Sequence, residues 1–180
     1  MSYSVYSTRG FILASAPSGE AGKTYFIYTE QFGLLRAHAQ GVRHLKSKLR
    51  YNLEDYGFAI FSLVRGKEFW RVTGAVAEGN AGTMPLAGQD MLKVRARILS
   101  FIRRLVQGEE RNDELFAVLL ELFSAEFAQV SGREGLLGFE TRILARCLAA
   151  LGYVDLTLLD GMDQREMVVA INKALRESQL

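Results

Sequence analysis

Seven side chains that can carry positive charge lie within one short stretch of the chain. They are Arg36, His38, Arg43, His44, Lys46, Lys48 and Arg50. No acidic residue occurs between Glu30 and Glu54. Guanidinium and ammonium groups bind phosphate oxygens, so this concentration of charge favours a polyanionic ligand such as nucleic acid. The alternative is a solvated surface that binds nothing.

The sequence offers little to a catalytic or metal-binding site. Its only histidines are His38 and His44 and its only cysteine is Cys147, so a Cys-rich zinc site and an intrachain disulfide are both excluded. It contains no nucleophile elbow, P-loop or dinucleotide fingerprint. Residues 132–138 (GREGLLG) resemble a phosphate loop but lack GK[ST] and a preceding strand, which favours a connector between helices. We predict no enzymatic activity, no cofactor and no metal, with Cys147 as a small buried hydrophobic residue.

The net charge of +2 conceals an asymmetry along the chain. Residues 1–76 carry ten Lys and Arg against five Asp and Glu, whereas residues 77–180 carry twelve against fifteen. A basic first part and an acidic second part indicate two regions with different partners, although chance scatter is an alternative. No segment approaches the roughly 20 apolar residues that span a bilayer, and the first residues lack a secretory pattern. We therefore expect a cytoplasmic protein without a membrane partner.

The first part of the chain is predicted to form five β-strands. Alternating or aromatic-rich segments cover residues 8–16, 23–30, 34–40, 56–64 and 68–77. Turn-forming residues separate them, at Pro17-Ser18-Gly19, Phe32-Gly33 and Arg65-Gly66-Lys67. In the third segment Arg36, His38 and Gln40 share one face, and Leu35, Ala37 and Ala39 share the other. Five short strands suit a small closed barrel or a sandwich.

The second part is predicted to be helical. At residues 78–85 (EGNAGTMP) the composition shifts to small residues, and beyond them the hydrophobic period changes from two to about 3.6. A first helix, ending near Gly108, carries an apolar stripe of Leu92, Ile98, Leu99, Ile102, Leu105 and Val106. Three more helices follow: residues 113–130 with Asn112 as N-cap, residues 139–151 ending at Gly152, and residues 164–176 with an Asp163–Glu166 capping box. The predicted fold class is α+β, with a barrel domain at residues 1–78 and an all-α domain at residues 85–180.

Aromatic residues accompany the basic stretch in the neighbouring strands. The set comprises Tyr25, Phe26, Tyr28, Phe58, Phe61, Phe69 and Trp70. Single-stranded nucleic acid is bound by a positive groove along the phosphates combined with aromatic faces for the bases, and small β-barrels are a common platform for this. Strand alternation turns about half of such rings into the core. The sequence leaves open which half.

The order and spacing of several motifs resemble the bacterial recombination mediator family RecO. The family pattern T-x-x-x-G-x-x-x-x-x-A-x-G-x-[RK]-x-x-x-S is matched at Thr29, Gly33, Ala39, Gly41, Arg43 and Ser47. Upstream, residues 10–29 are similar to the family's opening strands, including Glu20 in the turn. A Phe-Glu-x-x-x-Leu stretch before Leu-Gly-Tyr is matched at Phe139, Glu140, Leu144, Leu151, Gly152 and Tyr153.

This resemblance implies an oligonucleotide/oligosaccharide-binding (OB) barrel of five strands followed by a helical domain, in a bacterial, nucleoid-associated protein. It implies binding of single- and double-stranded DNA, annealing of complementary strands, and docking on the C-terminal tail of single-stranded DNA-binding protein. Together with RecR, such proteins help to load the recombinase RecA. The chain is shorter than usual members, which puts the contacts with RecR in question. It also lacks the four zinc-binding cysteines of some members, so no metal is expected.

An acidic tail with a hydrophobic end requires a groove between helices and an arginine for its carboxylate. Arg142 and Arg146, one turn apart, and the nearby Leu148 are our candidates; the alternative is that both arginines are simply solvated. The predicted function is sequence-independent DNA binding and strand annealing in DNA repair and recombination. The alternatives are a non-catalytic protein-interaction adaptor and an RNA-binding OB-fold protein.

Overall fold

The structure is a computed structural model that describes residues 4–78, 88–158 and 161–177. The chain divides into two compact units. The first comprises Met1–Leu86 with Leu99–Arg111, and the second comprises Ala87–Ile98 with Asn112–Leu180. The boundary predicted at residues 78–85 lies, apart from Glu78, outside the described residues.

Five strands form a closed barrel in the first unit. They are β1 (Val5–Ser18), β2 (Gly22–Thr29), β3 (Gly33–Ala39), β4 (Phe58–Arg65) and β5 (Trp70–Ala77). Their order around the barrel is β1-β2-β3-β5-β4. Every pairing is antiparallel except that of β3 with β5, which is parallel. This is an OB-fold, and the predicted fold class is confirmed.

The barrel core comes from the inward positions of each strand. In β3 the inward side chains of Leu35, Ala37 and Ala39 are fully buried, while Arg36 is exposed. They pack with Ile12, Tyr25, Ile27, Phe61, Leu63, Trp70 and Val72. The predicted alternation in the third strand is therefore confirmed, and it places the basic side chains on the outer surface.

The first strand is longer than predicted. It continues through Pro17, opposite Lys23, to Ser18, opposite Gly22. Proline lacks an N–H group but is tolerated near the end of a strand, where few ladder bonds depend on it. The prediction of a turn beginning at Pro17 was wrong, whereas the turn after Arg65 is confirmed, because the Gly66 N–H donates to the Phe69 carbonyl at 3.1 Å.

Five α-helices follow the barrel strands in the described part of the chain. They are α1 (Gly88–Leu105), α2 (Asp113–Leu120), α3 (Ala125–Gln129), α4 (Gly132–Ala150) and α5 (Gln164–Glu177). Short 3₁₀ turns occur at Lys48–Asn52, Glu121–Phe123 and Leu156–Leu158. None of the helices in the described ranges combines the length and apolar character needed to cross a bilayer.

The predicted helix ends are confirmed by their capping bonds. Asn112 Oδ1 accepts from the Leu115 N–H at 2.8 Å. Gly152 has a φ of +79° and its N–H donates to the Ala149 carbonyl at 2.8 Å, as expected of a left-handed cap. Asp163 and Glu166 form both bonds of a capping box, each 2.9 Å long.

Two predictions about the helices were wrong. The helix expected over residues 113–130 is interrupted, because Ser124 has an extended backbone and its hydroxyl accepts from the Phe127 N–H at 3.1 Å. Serine thereby caps a new helix instead of continuing the old one. Residues 132–138 form the first turns of α4 rather than a connector, despite their glycines.

The prediction was also wrong for one residue of the apolar stripe on α1. Leu92 is 50% exposed, and its place on the buried face is taken by Met91 and Val94. Ile98, Leu99, Ile102, Leu105 and Val106 are buried as expected.

Candidate nucleic-acid interface

The outer face of β2 and β3 carries the first two predicted basic residues. The strand register places Arg36 opposite Phe26 and His38 opposite Thr24. His38 is half-buried and packs on Gly22, where an added Cβ would lie 2.6 Å from the imidazole Cε1. The absence of a side chain at Gly22 therefore allows the imidazole to approach the backbone of β2 closely.

The loop between β3 and β4 carries the other five. Gly41, with a φ of +68°, allows the chain to turn as it leaves β3. The Arg43 N–H donates to the Ala21 carbonyl at 3.0 Å, and its guanidinium lies 3.5 Å from the Gly19 carbonyl. These bonds attach the start of the loop to the turn between β1 and β2.

Two adjoining depressions bring several of the loop cations together. Arg43, His44 and Lys46 line a depression of about 700 Å³. Arg43 also lines a second one, of about 260 Å³, together with Lys23 and Arg50. Arg43 thus belongs to both, whereas Lys48 is exposed at the start of the 3₁₀ turn and lines neither.

None of the seven predicted residues forms an ion pair with any residue in the described part of the chain. Arg36, Arg43, His44, Lys46, Lys48 and Arg50 are all exposed. Because no carboxylate within that part neutralises these groups, their fields add over the strand and the loop. We call this set of seven residues the basic track.

Only a minority of the candidate aromatic rings are accessible. Tyr25, Tyr28, Phe58, Phe61 and Trp70 are buried, with exposed fractions of 6% or less. Phe69 is 43% exposed and lies 6.0 Å from the His38 ring, and Phe26 is half-buried beside Arg36. Of these candidate rings, Phe69 is therefore the exposed one, and Phe26 is partly accessible.

Four residues near the basic track were not predicted. Tyr51 is 71% exposed beside Arg50, and its adjacency in the sequence could have drawn attention to it. Lys23 lines the second depression, and Arg71 lies opposite His38 in the parallel pairing of β3 with β5. The fourth is Arg103 of α1, whose guanidinium carbon lies 4.0 Å from the centroid of the Phe26 ring. No local pattern in the sequence connects Arg103 with Phe26.

Part of the β2–β3 outer face is covered by the end of α1 and the segment after it, which belong to the same unit. The Leu34 N–H donates to the Gly108 carbonyl at 3.2 Å, and an added Cβ on Gly33 would lie 2.1 Å from the Glu110 carbonyl oxygen. Tyr28, opposite Leu34 and on the outer face, is fully buried. The open part of this face is therefore the end that carries Phe26, Arg36 and His38.

The predicted tail-binding residues do not form one surface. Arg142 is exposed and its guanidinium carbon lies 5.4 Å from the Phe139 ring centroid, while Arg146 forms an ion pair with Glu121. Leu148 is fully buried, so it cannot contact a peptide on the surface, contrary to our prediction.

A larger groove of about 940 Å³ lies elsewhere in the second unit. Its apolar lining includes Met91, Val94, Leu136, Leu137 and Leu144. Among its cationic residues, Lys93 is paired with Asp90 and Arg97 with Glu140, and the exposed Arg133 is in no ion pair within the described ranges.

Cys147 is fully buried, as predicted. Burial raises the pKa of its thiol from the ordinary value near 9 to about 12. Since the thiolate is the reactive form of cysteine, this thiol is not suited to nucleophilic chemistry.

The barrel residues match a known protein family. Residues 1–77 match the family model described as "Recombination protein O N terminal". Residues 1–77 are a RecO N-terminal domain. The resemblance seen in the sequence is confirmed, and this RecO domain contains all five strands and the whole basic track.

Several relatives are named DNA repair protein RecO, and the longer matches extend beyond this domain. The protein of Rubrobacter xylanophilus is 27% identical over an alignment of 146 residues, which covers 71% of this chain and 58% of the relative. That of Synechocystis sp. is 28% identical over 150 residues, covering 82% of this chain and 54% of the relative. That of Dehalococcoides mccartyi is 37% identical over 70 residues, covering 39% and 28%. The chain thus spans about half the length of the longer-matching RecO relatives.

Proposed function

We propose that this chain is a DNA repair and recombination protein that binds single-stranded DNA without sequence preference through the basic track. The observation that carries the proposal is the exposure of six of these seven residues, without acidic partners in the described ranges, on a RecO N-terminal barrel. Double-stranded DNA, which presents the same phosphates, is a second ligand of the same surface.

The binding is expected to be mainly electrostatic. If Arg36, Arg43, Lys46, Lys48 and Arg50 each neutralise one phosphate, the logarithm of the affinity for a single strand falls with the logarithm of salt concentration at a slope of about −3.5. Cations placed in this way position a strand but carry no code for base edges, so affinity depends little on sequence.

Annealing of complementary strands follows from the same surface without a catalytic residue. A strand whose phosphates are partly neutralised repels its complement less, so the two meet more often. Phe69 and Tyr51, both exposed, are candidates for transient stacking on bases.

The test uses a triple variant in which Lys46, Lys48 and Arg50 are each changed to Glu. Its binding to a labelled oligonucleotide is measured by fluorescence anisotropy at two salt concentrations. We expect a loss of affinity of at least a hundredfold and a shallower salt slope. The matched control carries Glu at Arg142, Arg165 and Arg176, three exposed arginines of the second unit, and changes the net charge equally. Equal affinity of a folded triple loop variant and the wild type would refute the proposal.

We further propose that the second unit docks the C-terminal tail of single-stranded DNA-binding protein, and that the chain cooperates with RecR in loading RecA. Support for the tail comes from the groove of about 940 Å³, which combines an apolar lining with the exposed Arg133. Binding of the tail peptide is expected to weaken in Arg133→Glu and to persist in the control Arg165→Glu. Equal binding by both variants would contradict docking in this groove.

The same binding experiments distinguish the two alternative functions. A protein-interaction adaptor does not change the anisotropy of a labelled oligonucleotide at any salt concentration. An RNA-binding protein binds the RNA oligonucleotide more tightly than the DNA of the same sequence, because only RNA offers the 2′-hydroxyl.

A further inference from the structure

Arg103 is held against the open outer face of β2. Its guanidinium carbon lies 4.0 Å from the centroid of the Phe26 ring, which is within the range of a close cation–π contact. Both residues belong to the same compact unit, because Leu99–Arg111 is part of the barrel unit. The ring fixes the position of a cation that comes from a helix distant in sequence.

Phe26 also lies opposite Arg36 in the antiparallel register. Phe26 therefore has two cationic neighbours, Arg36 as its partner in the strand pairing and Arg103 above its ring. Neither guanidinium group forms an ion pair or donates a hydrogen bond to any residue in the ranges that the structure describes. Two like charges brought together without a carboxylate favour the binding of an anion between them.

The chemistry of a stacked guanidinium suits a phosphate. Stacking uses the flat face of the group and leaves the N–H donors at its rim, where a phosphate oxygen can accept two parallel bonds. Phe26 also restricts the rotation of a long side chain before the ligand arrives, which lowers the entropy lost on binding.

We infer that Arg103, positioned by Phe26, forms with Arg36 a phosphate-binding site that extends the basic track across the outer face of β2 and β3 and onto α1. This inference rests on the proposed function and adds to it the path of the strand. DNA then runs from the β3–β4 loop past His38 and Arg36 to Arg103, so the binding surface includes a helix outside the RecO N-terminal domain match at residues 1–77.

Three variants test this site: Arg103→Ala, Phe26→Leu and, as the matched control, Arg104→Ala. Arg104 is exposed in the same helical turn and has no aromatic contact in the described part of the chain. Affinity for a labelled single-stranded oligonucleotide is measured over a series of salt concentrations, and folding is checked by thermal denaturation.

Arg103→Ala is expected to weaken binding about tenfold and to reduce the salt slope by about 0.7, the amount for one phosphate contact. Phe26→Leu keeps an apolar side chain but removes the ring, so it is expected to weaken binding severalfold while leaving the slope unchanged. Arg104→Ala is expected to change both the affinity and the salt slope less than Arg103→Ala does.

The outcomes separate this inference from the proposed function. If the loop variants weaken binding but Arg103→Ala and Arg104→Ala behave alike, the site at Phe26 is refuted while the DNA-binding function stands. If the wild type does not bind the oligonucleotide, the proposed function itself fails, and the inference with it.

Discussion

The indole Nε1 of Trp70 donates a hydrogen bond of 2.9 Å to Oε1 of Glu109. Trp70 is almost fully buried, and its ring also contacts Tyr6 and Phe32 with centroid distances of 5.4 and 5.0 Å. The other carboxylate oxygen of Glu109 lies 3.4 Å from the guanidinium of Arg65. One side chain after α1 therefore satisfies the only polar group of the tryptophan at the start of β5.

Glu109→Ala is expected to destabilise the barrel unit by about 1–3 kcal/mol, because it leaves a buried N–H donor without a partner. Trp70 is the only tryptophan, so its fluorescence during urea denaturation reports the change directly. Glu110→Ala, one residue further along and exposed, is the control and is expected to be near neutral. Equal stability of the two variants would contradict the importance of this bond.

Gly33→Ala is expected to be much more destabilising than Gly19→Ala. Both glycines have positive φ, +66° and +62°, so both substitutions share a backbone cost of about 1–2 kcal/mol. At Gly33 the new Cβ would also lie 2.1 Å from the Glu110 carbonyl oxygen, whereas nothing lies within 4 Å at Gly19. Thermal denaturation measures the difference, which should vanish if the segment after α1 does not pack on β3.

Arg97→Ala is expected to cost about 1–3 kcal/mol of stability, because it leaves the largely buried Glu140 carboxylate without its charged donor. Arg97 makes two bonds to this carboxylate, of 2.6 and 2.5 Å. Lys93→Ala removes an exposed pair with Asp90 in the same helix and should change stability by less than about 0.5 kcal/mol. Chemical denaturation of both variants makes the comparison, and a similar loss in each would argue against a special role for the bonds from Arg97 to Glu140.

Stability is expected to decrease as the pH rises above about 9. In the native state burial raises the pKa of Cys147 to about 12 and that of Tyr25 to about 12. Between pH 9 and 12 the unfolded chain therefore binds fewer protons than the native chain, and the free energy of unfolding falls, with a limiting slope of about 1.4 kcal/mol per pH unit for each fully shifted group.

Cys147→Ala isolates the contribution of the thiol. The variant loses some stability at every pH because it loses packing, but its stability curve should begin to fall only near pH 10, with the ordinary ionisation of tyrosine. Urea denaturation at pH 7, 9 and 10 distinguishes the two curves. Parallel curves would show that the thiol does not titrate differently in the two states.

The barrel could be predicted from the sequence because its signals are local. The alternation of Leu35, Ala37 and Ala39 with Arg36 and His38 is sufficient to assign the two faces of a strand. The loop cations also lie close together in the sequence, so the basic track could be named as a candidate site, and its role in binding stays a prediction. How the residues of the basic track are divided between the face of β3 and the two depressions depends on the contact of Arg43 with the β1–β2 turn. No local sequence pattern predicts this contact.

The parts that could not be predicted depend on tertiary packing. The glycines of residues 132–138 have low helix propensity, yet they belong to α4, in which Phe139 stacks on Phe127 at 4.5 Å. Packing of this kind outweighs propensity. Arg103 approaches Phe26 only because the end of α1 lies on the barrel, and Leu148 was assigned to a surface because a single apolar residue does not reveal which side of a helix is covered.

The parallel pairing of β3 with β5 rests on only two residue pairs, Ala37 with Trp70 and His38 with Arg71. Every other pair of neighbouring strands is joined by a longer ladder. The barrel therefore has one weak seam between β3 and β5. The backbone amides in this pairing should exchange with deuterium sooner than those in the longer ladders. A polyanion bound to both His38 and Arg71 would connect the two strands, so that binding would stabilise the closure of the barrel.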